Sequence, residues 1–494
     1  MIRLLKKVTI FFSTILLLVA GIAIARTARY TYTSSSVERA TETDIRASAA
    51  ERLAGAIRIP TISPEEPRDF DAQAFQDLHR YLASVFPRVH SQLQREIVGG
   101  HSLLYTWCGT NPALKPILLM GHLDVVPVEP GTAENWQEAP FSGRIVNGYI
   151  WGRGAIDNKS AVVGTLEAVE MLLSEGFQPT RTVYLAYGHD EESGGTEGAR
   201  QTASVLRSRG VELEMVLDEG GVIGEGVIAG ISVPVALVGV AEKGFASIEL
   251  STRTEGGHSS LPPQRSAIGI LSGAVARIEA SAMQPRFDGA TRQLFEKIGP
   301  LFPVSQRAMF ANLWLTRPLV TRSLESRPTT NAMVRTTAAP TIFQAGTKDN
   351  VLPTHARAVV NFRILPGDTM AGLLEHVRQV VDDQRIDVRV GGRFSSEPSE
   401  VSGTDSASFR TLERTVRKIT PDAIVAPYLV VVVTDARYYS DLTRNTFRFL
   451  PIRLTSEDLK RIHGIDERLA IPQYETAIRT YRQLILDATR SAIE

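Results

Sequence analysis

Three apolar runs that end in acids place the tightest constraint on this chain: PILLMGHLD (116–124), RTVYLAYGHDEE (181–192) and EMVLDEGG (214–221). Between them, SAVVGTLEAVEMLLSEG (160–176) and EGARQTASVLRSRG (197–210) repeat their apolar residues at helical spacing. Strands alternating with helices of this length predict an α/β fold, a mostly parallel sheet with helices on both faces. Ligands of such sheets sit beyond the carboxyl ends of the strands, which is where the acids fall.

After VALVGVAEKG the texture changes. FASIELSTRT (245–254) alternates with period two, SAIGILSGAVARIEA (266–280) is an amphipathic helix, TTAAPTIFQAG and ARAVVNFRILPGD read as strands, and MAGLLEHVRQVVDD as a helix. These predict an α+β insert over residues 240–365, between a first part of the main domain (31–239) and a second (366–494). The second part holds AIVAPYLVVVVTDARYYSDL and the closing helix YETAIRTYRQLILDATRSAIE. No internal repeat is present. The stretch 281–327 has weak periodicity and receives no assignment.

The 494 residues exceed what one compact core usually holds, consistent with two domains. The 54 basic and 54 acidic residues balance, so net charge gives no reason to expect a nucleic-acid partner. A single cysteine, Cys108, excludes an intrachain disulfide and a cysteine-built zinc site. Residues 1–30 form a separate element. Arg3, Lys6 and Lys7 precede 18 uncharged residues, Val8 to Ala25, long enough to span a bilayer with the amino end in the cytoplasm. An uncleaved anchor fits that length; a cleaved signal, secreting the chain or releasing it to a periplasm, fits the small-x-small Ala23-Ile24-Ala25. Either reading puts the bulk of the chain outside the cytoplasm, tethered through the polar stretch 27–44.

The acids carry the chemistry. His122 and Asp124 are two apart beyond a strand, the spacing that lets a carboxylate sit behind an imidazole, although a solvated turn accounts for the pair equally well. With a parallel sheet, GHLD, HDEE and LDEGG emerge at one edge, joined by Asp157 of WGRGAIDNKS. Carboxylates in contact cannot all stay ionised, since each raises the pKa of its neighbours; one or two divalent cations resolve the conflict. Histidine with Asp and Glu suits zinc in an open site.

These six motifs, GHLDVVP, WGRGAIDNKS, HDEESGG, VLDEGG, GGHSSLP and HGIDE, occur in an order that resembles the di-zinc metallopeptidases. That family includes carboxypeptidase S, glutamate carboxypeptidase, aminoacylase and acetylornithine deacetylase. The text over residues 45–490 is most similar to the carboxypeptidase S and N-fatty-acyl-amino acid hydrolase branch. The resemblance implies two Zn2+ per subunit, with Co2+ or Mn2+ as substitutes. His122 and Asp218 would bind one, Glu192 and His463 the other, and Asp157 would bridge them. It implies that Asp124 orients His122, that Glu191 is the general base and that Asp190 has no task. It also implies a cis peptide after Asp157, a lid that carries a homodimer contact, and His258 steadying an oxyanion. Arg363 would hold a substrate carboxylate, with Asn350 and Arg437 as further substrate-binding residues. The branched run VVVVTDAR, where that branch shows glycine, leaves Arg437's role and the pocket's size open.

The implied reaction is zinc-dependent hydrolysis of an amide in a small peptide or N-acyl amino acid with a free carboxylate. An aminopeptidase, dipeptidase or deacetylase of the same fold is the alternative, as is an anchored binding protein without catalysis. That last reading predicts a missing ligand or base, and every matched position holds a competent residue.

Overall fold

The computed structural model describes residues 2–33, 37–41, 43–64 and 67–489; the tether and the last turn of the closing helix lie partly outside them. The chain forms two compact units. One contains Val37–Ile228, Val233–Ala246 and Gly391–Glu494. The other contains Met1–Ser36, Ala229–Ser232 and Ser247–Val390. The insert therefore closes near residue 390 rather than 365, because helix Met370–Val381 packs on helix Ala267–Ala280 of the insert.

In the larger unit, strands Val183–Gly188 and Met215–Asp218 flank Ile117–His122, both parallel to it. Register pairs His122 with Gly188 and Leu119 with Leu217, so the three acid-bearing ends lie at one edge. Thr446–Arg448 extends the sheet in parallel beyond Met215–Asp218. The hairpin Gln94–Val98 and Ser102–Trp107 closes the other side antiparallel. All six residues of Ile117–His122 are buried, as a strand covered on both faces requires. Helix Lys159–Ser174 lies against it and is itself covered by helix Ile471–Thr489. Gly121 marks the close approach, since a Cβ there would stand 2.9 Å from Asn158 Oδ1.

The smaller unit has a sheet ordered Thr337–Ala345, His355–Ile364, Gly244–Arg253, Ile386–Ser396. The unassigned stretch 281–327 is helical: Gly289–Ile298, Val304–Ala311 and Leu313–Glu325. Pro300 and Pro303 separate the first two helices, Pro318 sits inside the third, and part of the apolar surface faces outward, so the periodicity is faint.

Leu119, 1% exposed in the strand that carries His122, tests the core. Leu119→Ala should cost about 2–5 kcal/mol, read as a lower denaturant midpoint at unchanged slope.

Candidate metal and active site

Four carboxylates and two imidazoles converge at the carboxyl edge of the larger sheet. His122, Asp157 and Glu219 present atoms within 4.8 Å of one another, as do His122, Glu191 and Glu192, and Asp157, Glu192 and His463. His122 Nε2 stands 3.0 Å from Asp157 Oδ1 and 3.2 Å from Glu219 Oε1. His463 Nε2 stands 3.1 Å from Asp157 Oδ2 and 3.2 Å from Glu192 Oε1. Asp157 thus faces both rings. The peptide bond that follows it is cis.

The neighbour of His122 on its other side fixes the ring. Nδ1 lies 2.9 Å from the main-chain oxygen of Asp124, a group that only accepts, so Nδ1 carries a proton, and Nε2 is the nitrogen that a neutral ring would offer to a metal. The Asp124 carboxylate is 3.4 Å from Nδ1 and is mainly engaged elsewhere, accepting from Glu191 N at 3.2 Å and Glu192 N at 3.1 Å. It therefore ties the GHLD loop to the turn that bears the base. Asp190, without a task in the sequence, accepts from Glu197 N and Gly198 N and secures the same turn from behind.

Glu219, the residue after Asp218, presents its carboxylate to His122. Asp218 ends the strand Met215–Asp218 and its Oδ2 accepts from Ala436 N at 2.8 Å, which turns it toward the TDAR loop. Glu219 faces His122, and Asn158 donates to its second oxygen at 2.5 Å. Adjacent acids at a strand end point to opposite faces, and one-residue errors exchange them.

Glu467 is a residue that sequence reasoning passed over within its own motif HGIDE. Fully buried, its Oε1 accepts from Gly154 N, Ile156 N and Asp157 N at 3.1, 2.8 and 3.2 Å, while Arg153 donates to Oε2 at 2.7 Å. One carboxylate thereby joins the loop of His463 to the loop of Asp157. His463 itself adopts a left-handed backbone, φ 61°, uncommon for a residue with a side chain.

Arg437 is spoken for in the larger unit. Its guanidinium donates to the oxygens of Thr434 and Gly194 and stacks over Phe394 and Tyr438, each 4.5 Å from the ring centre. Of the run ahead of it, Val430 ends a strand in the core while Val432 is exposed, so the four valines do not crowd one pocket together. Asp435 is buried against Gly195, where a Cβ would meet its Oδ1 at 1.9 Å; glycine is required there, at φ +62°. In the smaller unit, His258 pairs with Val351 across a two-residue ladder, and Ser259 N donates to Asn350 O, bringing His258 and Asn350 together. Arg363 opposes Thr337 on the sheet, and burial lowers its pKa.

Electrostatics expresses the crowding. Burial, then the surrounding acids, pushes Glu191 well above the usual carboxylate range despite nearby His122. Glu219 rises for the same first reason and then through Asp157. Burial would push His122 down, yet Glu219, Asp124 and Asp157 carry it well above its ordinary value. Hydrogen bonds to Asp157 and Glu192 raise His463 to about 10. A divalent cation would balance the charge of this cluster. The donor set of two imidazoles and four carboxylates, without thiolate, suits a hard or borderline metal.

A parallel α/β sheet with a cation-ready acid cluster at its carboxyl edge is the scaffold of a metallohydrolase. The family model described as Peptidase family M20/M25/M40 matches residues 118–487, and the chain belongs to that family. Probable carboxypeptidase S-like 2 of Dictyostelium discoideum is 44% identical over 442 residues, 88% of this chain and 84% of that one. The N-fatty-acyl-amino acid synthase/hydrolase of Homo sapiens is 40% identical over 447 residues, 90% of this chain and 88% of its own. Among solved structures, an M20 family metallo-carboxypeptidase from Sulfolobus solfataricus superposes with a TM-score of 0.65 at 18% identity, covering 89% of this chain and 99% of its own, and shares the fold. The protein is thus a metal-dependent hydrolase of the amide-cleaving M20/M25/M40 peptidases.

Glu467→Ala frees three N–H groups and strands Arg153. Loss of about 3–5 kcal/mol of stability is expected, together with a metal affinity lower by about 10–100-fold, read by titrating metal into the refolded apoprotein. Glu467→Gln, which keeps an acceptor for the N–H groups, should fall between.

Proposed function

We propose that this enzyme hydrolyses the amide of small N-acyl amino acids or peptides whose amine side carries a free carboxylate. The observation that carries the reading is a half-buried acid, Glu191, beside a ring whose Nδ1 is held by Asp124 O. Two divalent ions, zinc in this reading, would be held by His122, Asp157 and Glu219 and by Asp157, Glu192 and His463, and when bound they polarise the amide carbonyl and acidify water. Glu219 takes the place that the resemblance gave to Asp218, and Asp218 becomes a support of the TDAR loop.

Glu191 takes a proton from the attacking water and returns it to the leaving nitrogen, a role suited to a carboxylate whose pKa is raised above the ordinary range by desolvation. Asp124 holds both its backbone and the imidazole of His122 in place. His258 steadies the oxyanion, and Arg363 and Asn350 receive the substrate carboxylate, for which the planar fork of arginine is apt. Arg437 serves by bracing the Gly194 turn. The insert acts as lid and dimer contact. The relatives named for carboxypeptidase S and for N-fatty-acyl-amino acids support this substrate class.

The N-terminal helix Ile2–Arg29 is long and apolar enough to cross a membrane. Its hydrogen bonds to the smaller unit, from Asn312 Nδ2 to Ala23 O and from Arg26 Nε to Ala311 O, support an uncleaved anchor. A mature chain beginning at Arg26 would refute it.

Release of free amino acid should be measured over a panel of N-acetyl, N-palmitoyl and dipeptide substrates. Chelation should stop turnover and added zinc restore it; activity indifferent to chelator sinks the mechanism. Glu191→Gln should lower kcat by about 10²–10⁴-fold with metal content unchanged, and metal loss in that variant would mean Glu191 is a ligand. Arg363→Ala should raise KM for carboxylate-bearing substrates and leave their amidated counterparts little affected.

A further inference from the structure

The helices Val304–Ala311 and Leu313–Glu325, which the sequence left unassigned, form an apolar face beside the N-terminal helix. Val304, Trp314, Leu315 and Leu319 are 64, 53, 52 and 61% exposed. Trp314, Leu315, Pro318, Leu319 and Arg322 follow helical spacing, so they line one side of Leu313–Glu325. Large apolar side chains clustered outward on one helix face mark an interaction surface rather than ordinary scatter.

The contacts of the N-terminal helix say what covers that face. Val19, Ala23, Thr27 and Tyr30 form its less exposed stripe, and helix Val304–Ala311 packs there. Asn312 Nδ2 donates to Ala23 O and Thr27 Oγ1, both at 3.1 Å, and Tyr30 OH donates to Glu296 O at 3.0 Å. The uncharged run ends at Ala25. The hydrogen bonds from the insert reach back to Ala23, about 3 Å inside the end of the apolar run at 1.5 Å per residue, which sets this face at the level where that run leaves the hydrocarbon for the headgroups.

We propose that Leu313–Glu325 and the start of Val304–Ala311 lie in the outer-leaflet interface of the bilayer that the N-terminal helix crosses, with Trp314, Leu315 and Leu319 among acyl chains. The occupant is phospholipid. Trp314 sits where its ring is apolar on its faces and its Nε1 is satisfied by Asn312 Oδ1, 3.3 Å away, the arrangement of an interfacial tryptophan. Arg322, one turn beyond Leu319, reaches the headgroup phosphates. A spanning helix alone leaves the body of a protein free to swing; this second attachment fixes the insert against the membrane surface.

The inference rests on the uncleaved anchor, and its test separates the two. Full-length protein is reconstituted in phosphatidylcholine vesicles made with and without lipid brominated on the upper acyl chain, and tryptophan emission is compared with that of Trp314→Phe. Trp107, Trp136 and Trp151 are 4, 7 and 4% exposed and provide a constant background. Brominated lipid should remove most of the emission that Trp314 contributes, while iodide in the water leaves it unchanged. Should Trp314→Phe fold poorly, Leu319→Cys in a Cys108→Ser chain, labelled with an environment-sensitive dye, should shift its emission to the blue on reconstitution. Protein that resists alkaline carbonate yet shows iodide quenching of Trp314 refutes the lipid face and leaves the anchor standing. Protection from both quenchers also refutes it, and means that a second copy or another protein covers the face. Protein washed out by carbonate removes the anchor and the inference together.

Discussion

Mutual repulsion among acids at one sheet edge is the constraint that the rest of the larger unit serves. Asp157, Glu191, Glu192 and Glu219 lie within reach of two imidazoles, and burial makes each charge costly. Such a cluster persists because surrounding structure holds it in position. The fold supplies rigid strand ends for His122 and Glu219 and short, clamped loops for the others.

The clamps are themselves acids. Asp124 accepts from Glu191 N and Glu192 N, Asp190 from Glu197 N and Gly198 N, Asp218 from Ala436 N, Glu242 from Thr434 N, and Glu467 from three amides of one loop. A carboxylate accepting main-chain N–H groups ties a loop by hydrogen bonds stronger than neutral pairs give. The acids named here therefore divide into those gathered about the ring nitrogens and those that fasten backbone around them. Arg153 and Arg448 complete two of the clamps, each buried with its carboxylate.

The smaller unit obeys a different economy. Its strand His355–Ile364 largely alternates buried and partly buried residues while the edge strand Thr337–Ala345 has none buried, and helices Val304–Ala311 and Leu313–Glu325 are short and partly apolar on the outside. Weak periodicity in 281–327 was thus a physical signal in its own right. A helix that buries one apolar side against protein and leaves another exposed does not show one clean stripe.

The sequence by itself determined the parallel sheet, the edge at which the acids gather, the insert and the apolar N-terminal segment. Strand and helix periods are local, and the right-handed alternation of strands and helices leaves few topologies. Only the tertiary structure decided which of two neighbouring acids faces which partner. Asp218 and Glu219 are chemically near-equivalent in the chain, and their division of labour is set by Ala436 and His122, brought alongside from 218 and 97 residues away. The same holds for Glu467, whose clamp on Gly154, Ile156 and Asp157 spans more than 300 positions. No pattern in a single segment encodes a hydrogen bond whose donor lies in another, so such pairings emerge only when packing sets the distances.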